Sequence, residues 1–117
     1  MLETEDMVIF ARTIDLLDWL LLRCDAFPRQ HRFVVTARLQ GALLDFQEAL
    51  YDANAHLGFD RLSHLRSADS HLGKVRLYLR LAHRWHWLSS AQYEHVSRMV
   101  AEIGRLLGGW LKRTAAG

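Results

Sequence analysis

The chain has 117 residues, half of them hydrophobic, and a formal net charge of +2. That length supports one domain with a single core and needs no covalent staples. One proline and seven glycines favour an all-helical domain over a turn-rich β fold, while a lone cysteine, Cys24, excludes an internal disulfide or a cysteine-rich zinc site and suits a reducing cytoplasm.

The opening residues MLETEDM are acidic and lack a basic n-region, so no signal peptide is expected. No apolar run reaches the roughly 18 residues of a membrane span. Thr4 is placed to cap a first helix over residues 4–26, with Glu5 and Asp6 favourable at the positive end of its dipole. Met7, Phe10, Ile14, Leu17, Leu21 and Cys24 form a heptad-spaced stripe assigned to the core. Cys24 then reads as a small buried hydrophobe. Ile9, Leu16, Trp19, Leu20 and Leu22 lie off that stripe and need cover from a second surface.

Phe27-Pro28 ends the first helix and starts a second over 29–56, because proline suits an early helical position. Val35, Leu39, Ala42, Phe46, Leu50 and Ala53 share one side of it. Asn54 to Gly58 reads as its end, and Asp60 as the cap of a third helix over 60–87. The core stripe there is Leu65, Ala68, Leu72, Val75, Leu79 and Ala82. Leu77 and Leu81 lie on roughly the opposite face, with Tyr78 and Trp85 to the side. A fourth helix is expected over 90–113. Ser89 and Gln92 make an S-x-x-Q capping box, and Leu88 and Tyr93 a hydrophobic staple. Tyr93, Val96, Val100, Ile103, Leu107 and Trp110 then form a bundle seam. Gly104, Gly108 and Gly109 mark either a close approach by another backbone or a fraying helix end. Residues 114–117 read as a small-residue, mobile tail.

Four helices joined by short turns predict one all-α domain over 1–117, an antiparallel up-down-up-down four-helix bundle. One buried face per helix suffices in such a bundle, so surplus apolar surface on the first and third helices predicts a homo-oligomer. Its interface is expected to use Ile9, Leu16, Trp19, Leu20, Leu77 and Leu81.

The small net charge conceals an asymmetry. Residues 1–60 carry ten acidic and five basic side chains, whereas residues 61–117 carry three acidic and ten basic ones. Arg76, Arg80 and Arg84 recur every four residues along the third helix, and Arg98, Arg105 and Lys112 every seven along the fourth. Such ridges suit phosphate contacts, which carry most nucleic-acid affinity without reading sequence; a solvated face is the alternative. Trp85 and Trp87, beside His83 and His86, read as a base-stacking platform or as the closure of one end of the core. His83 and His86 have no carboxylate or cysteine at ligand spacing, so no metal and no cofactor is expected. No G-x-x-x-x-G-K, G-x-S-x-G or paired-carboxylate cluster points to an enzyme.

The stretches L-R-L-A-H at 79–83, W-L-S-S-A-Q-Y-E-H at 87–95 and E-I-G-R-L-L-G-G-W-L-K at 102–112 resemble the accessory variability determinant (Avd) family of diversity-generating retroelements. Phe27-Pro28, Arg32-Phe33 and Leu43 to Tyr51 also fit, so the resemblance covers most of the chain. It implies a bacterial or phage-encoded, non-catalytic accessory protein. Such a protein binds template-repeat RNA or DNA and the element's reverse transcriptase in mutagenic retrohoming. It also implies a homopentameric ring with a central channel. The motif match carries over Arg80, Arg105 and Lys112, while Arg76, Arg84 and Arg98 rest on spacing. That family is related to four-helix proteins encoded in 23S rRNA intervening sequences, which supply an alternative reading with an undefined RNA-related role. A further alternative is a HEPN-like ribonuclease, since Arg66 and His71 match the R-x4-H pattern of those helical bundles.

Overall fold

The computed structural model describes residues 4–117, without the side chains of residues 4 and 5, so the expected cap at Thr4 and the charge at Glu5 lie outside the described residues. Four α-helices and no strand are present among them: α1 Thr4–Cys24, α2 Ala37–Ala55, α3 Gly58–Arg84 and α4 Ser90–Ala115. They pack into a body of 46 × 25 × 19 Å. The α2–α3 contact is the most extensive, followed by α3–α4 and α4–α1, and the α1–α2 contact is the thinnest of the four.

The fourth helix forms as its sequence requires. The Gln92 N–H donates to Ser89 Oγ at 3.1 Å and the Ser89 N–H donates to Gln92 Oε1 at 2.9 Å, so two otherwise orphaned donors are satisfied. Val96, Val100, Ile103, Leu107 and Trp110 are buried along the expected seam, with Tyr93 half-buried at its start. The helix continues through Thr114 to Ala115.

All six residues of the α3 stripe are buried. Asp60, however, is not its cap. The helix begins two residues earlier, after an extended Leu57, and Gly58 takes φ +56, a left-handed conformation that glycine adopts without steric cost. Asp60 sits in the first turn instead, still favourable to the dipole. The other end stops at Arg84, short of Trp87. There the His86 N–H donates to His83 O at 3.0 Å and the Trp87 N–H to Ala82 O at 2.8 Å, a Schellman arrangement with His86 at φ 64.

Helix two starts later than Pro28 suggests. Arg29–His31 is a 3₁₀ turn and Arg32–Thr36 a π turn, and regular α geometry begins only at Ala37. Phe33, Val34, Val35 and Thr36 are consecutive aromatic or β-branched residues, whose crowded χ1 weakens a regular helix. From Leu39 to Ala53 the expected side is buried, and Val35 is half-buried.

The inward face of α1 is the largest correction. Ile9, Leu16 and Leu20 are 0% exposed, whereas Met7, Ile14 and Leu21 of the assigned core stripe are 62, 49 and 38% exposed. Only Leu17 and Cys24 of that stripe are buried, with Phe10 partly so. Thr13 completes the true inner face. Its hydroxyl donates to Ile9 O at 2.7 Å, so a polar residue lies in the core with its hydrogen bond made locally. Ile9, Leu16 and Leu20 are therefore the chain's own core and not a surface open to a second copy. Trp19 and Leu81 are half-buried, and Leu77 remains exposed.

Contacts along the α1–α4 seam step up one helix and down the other. Asp6, 5% exposed, pairs with Arg113; Arg12 Nε lies 3.1 Å from Glu102 Oε1; and the Trp19 and His95 rings are 5.5 Å apart. These pairs mark the seam along which α1 lies against α4.

Candidate nucleic-acid interface

Between α3 and α4 lies an open cleft of about 410 Å³. Leu79 and Val100 give it an apolar lining, Arg76 and Arg80 enter from α3, and Tyr93, Ser97 and Arg105 from α4. Arg76 and Arg80 converge with Arg105 because consecutive turns of α3 face the same stretch of α4. No carboxylate lines the cleft, and among the described residues none of these three arginines is in a salt bridge. Their charge is therefore available to an incoming anion.

Gly104 explains how Arg76 fits. A Cβ added there would stand 2.5 Å from Arg76 Nη2 and 3.8 Å from Leu72 Cδ2. The close approach expected at this glycine is thus made by a guanidinium and not by another backbone. A Cβ at Gly108 would meet nothing within 4 Å.

The other expected basic residues stand apart from this cleft. Arg84 is exposed in the last turn of α3, one turn beyond Arg80. Arg98 Nη1 lies 3.3 Å from Glu94 Oε1, an exposed i, i+4 pair worth about 0–1 kcal/mol that an incoming phosphate can replace. Lys112 is exposed in the last turn of α4. Tyr93 and Ser97 line the cleft but were not singled out by the charge pattern. Their only signal in the sequence is position, since Tyr93, Ser97 and Ala101 follow one i, i+4 row that leads to Gly104.

Two histidine readings end differently. The His83 ring stacks on Tyr93 at 4.4 Å with an interplanar angle of 3°, and its Nε2 is 3.3 Å from Ser90 Oγ. Among the described residues no group of three His, Cys, Asp or Glu side chains could hold a metal ion. Arg66 and His71 project about 140° apart, because five residues on a continuous helix advance by that angle beyond one turn. Arg66 is exposed, and His71 is half-buried with Nδ1 buried and unpartnered. Cys24 is buried, and that burial pushes its thiol up to about 12.

Residues 7–114 match the bAvd-like family model. The chain belongs to the bAvd-like family. As a bAvd-like protein it is an accessory protein of the Avd type, which bears out the resemblance carried by residues 79–112. A solved structure similar to this bAvd-like chain is a protein of unknown function from the S23 ribosomal protein family of Bacteroides thetaiotaomicron. The two share 19% identity and a TM-score of 0.83, over 93% of this chain and 99% of that one. That likeness is one of fold. No curated protein matches the bAvd-like chain. Among the described residues no helix is long and apolar enough to cross a membrane.

Proposed function

We propose that this bAvd-like chain is a non-catalytic accessory protein of a diversity-generating retroelement. It binds template-repeat RNA or DNA along α3 and α4 and presents it to the element's reverse transcriptase during mutagenic retrohoming. The observation that carries this reading is the convergence of Arg76, Arg80 and Arg105 on one cleft with no carboxylate in its lining. Arginines on successive turns are about 5–6 Å apart along the axis, which suits a row of phosphates. Contacts of this kind position a strand without reading its bases, so affinity is broad in sequence and steep in salt.

The proposed assembly is a cytoplasmic homo-oligomer of antiparallel up-down-up-down bundles, pentameric as in the Avd family. Repetition of the cleft around an axis would give multivalent contact with a long polyanion.

Fluorescence anisotropy with labelled RNA across a salt series tests the reading. Arg80→Glu with Arg105→Glu is expected to weaken binding at least about tenfold and to reduce the slope of log K against log salt by about 1–2, with unchanged helical circular dichroism. Affinity indifferent to both salt and this double substitution would reduce the ridges to a solvated face. The same preparation is expected not to cut RNA; cleavage abolished by Arg66→Ala or His71→Ala would reassign the chain to the HEPN-like ribonucleases.

A further inference from the structure

Where α3 turns into α4, a second cleft stands outside the arginine-lined one. His31, Val35, Trp85 and Trp87 line it, and its volume is about 300 Å³. The two indoles differ in role. Trp87 is half-buried, with the His31 ring stacked on it at 5.2 Å and 23° and the Phe27 ring at 5.4 Å and 48°. It is a wall packed against Phe27, with His31 beside it in the lining. Trp85 is 42% exposed, its ring 5.1 Å from Trp87 and inclined to it by 54°. It leaves a large aromatic flank in water beside a fixed aromatic wall.

The backbone between them is held in a costly shape. His86 has φ 64, in the left-handed region where a side chain crowds the carbonyl, and the two Schellman hydrogen bonds keep it there. A left-handed residue in this position is the usual close of a helix, here taken by histidine in place of glycine. Its effect here is to set Trp85 and Trp87 on either side of one rigid turn.

The surrounding charge favours one class of occupant. Arg76 and Arg80 lie in the arginine-lined cleft, Arg84 is one turn on, and Trp85 follows directly. From the facing segment, Arg29 and Arg32 flank His31, with the Arg32 guanidinium 5.0 Å from the Phe33 ring centroid. Asp25 lines the neighbouring pocket together with Arg29 and Arg32, so the two cations outnumber the carboxylate there. Exposed arginines on α3 and on the 29–32 segment, together with an apolar aromatic cleft, match a strand with phosphates along its length and a base face free to stack. A duplex keeps those faces covered.

We propose that the cleft formed by Trp85, Trp87, His31 and Val35 is a stacking subsite for an unpaired nucleobase, so that the ligand of this chain is single-stranded nucleic acid. The inference rests on the nucleic-acid reading above and adds the strandedness of the ligand and the residue that senses it. Trp85 is the stacking surface, and Trp87 and His31 position it.

The test compares, at low salt, an oligouridine of about twelve nucleotides, an abasic strand of equal phosphate number and an RNA duplex. The oligouridine is expected to bind about tenfold tighter than the abasic strand. Trp85→Ala is expected to erase that preference while leaving abasic-strand affinity unchanged, and Trp85→Tyr to retain most of it. Equal wild-type affinity for the two strands overturns the stacking subsite and leaves the phosphate reading standing. Tighter binding of the duplex than of the oligouridine also overturns it, as does a Trp85→Ala variant that weakens both strands equally. Absence of binding to all three probes overturns both readings.

Discussion

Alanine at position 104 would bring a methyl carbon to 2.5 Å from Arg76 Nη2, so the guanidinium would have to swing away. A flexible side-chain end moves cheaply, whereas replacing a helix-interior glycine with alanine favours the helix by about 1 kcal/mol. Gly104→Ala is therefore expected to raise the urea midpoint while lowering RNA affinity. Affinity that stays at the wild-type level would show that Arg76 does not act from its seat over Gly104. Cys24 makes a different kind of prediction. Its thiol ionises near 9.0 in the reference state and is pushed up to about 12 in the fold, because burial penalises the thiolate. The unfolded chain thus loses that proton first as pH rises. The stability associated with the neutral thiol is full below pH 9.0 and is lost progressively as pH climbs toward about 12. Urea midpoints measured through that window should fall more steeply for the wild type than for Cys24→Ala. Parallel curves would show that the thiol does not take part.

The clearest element-scale prediction concerns the α3–α4 turn, where the S-x-x-Q capping box read in the sequence is present in the structure with both of its hydrogen bonds. Ser89→Ala leaves the Gln92 N–H without its 3.1 Å acceptor and is expected to cost about 1 kcal/mol in urea unfolding. A change within experimental error would mean that water replaces the cap. The core faces of α3 and α4 were legible from periodicity because the stripes from Leu65 to Ala82 and from Val96 to Trp110 are unbroken, and both are buried; in α3 this holds although Leu77 and Leu81 lie on its other side. Two other elements were not. The start of α2 was hidden because Pro28 signals a helix start while the β-branched run after it delays regular geometry to Ala37. The inward face of α1 was hidden because both of its faces carry leucine, isoleucine or aromatic residues. Thr13 on the true core face looks polar until its hydroxyl is seen to bond Ile9 O.

At the scale of the molecule, the proposed homo-oligomer draws on residues other than Ile9, Leu16 and Leu20, which the chain's own core takes up. Met7, Ile14 and Leu21 form a heptad-spaced outer stripe on α1, and Leu77 on α3 is 46% exposed. Burying a leucine-sized side chain is worth about 1.5–3 kcal/mol, so a seam of such residues outweighs surface ion pairs worth about 0–1 kcal/mol each. Ile14→Glu with Leu77→Glu is expected to yield folded monomers by light scattering and to weaken RNA binding with the loss of multivalency. A wild-type chain that scatters as a monomer at micromolar concentration would remove the case for this interface.

The number of helices, the turn before α4, the core faces of α3 and α4 and the family were determined by the sequence alone. Each depends on local spacing or on short motifs that lie within one or two helices. The three-dimensional packing decided the rest. It decided which of two apolar faces of α1 turns inward, burying Ile9, Leu16 and Leu20 against the other helices, with Asp6–Arg113 and Arg12–Glu102 joining residues far apart in the chain along the α4 seam. It also divided the six basic residues into three that meet in one cleft, one paired with Glu94 and two that stand apart. Periodicity reports which residues share a face of one helix. Which face meets which neighbour is set by contacts between helices, and no single-helix pattern contains that information.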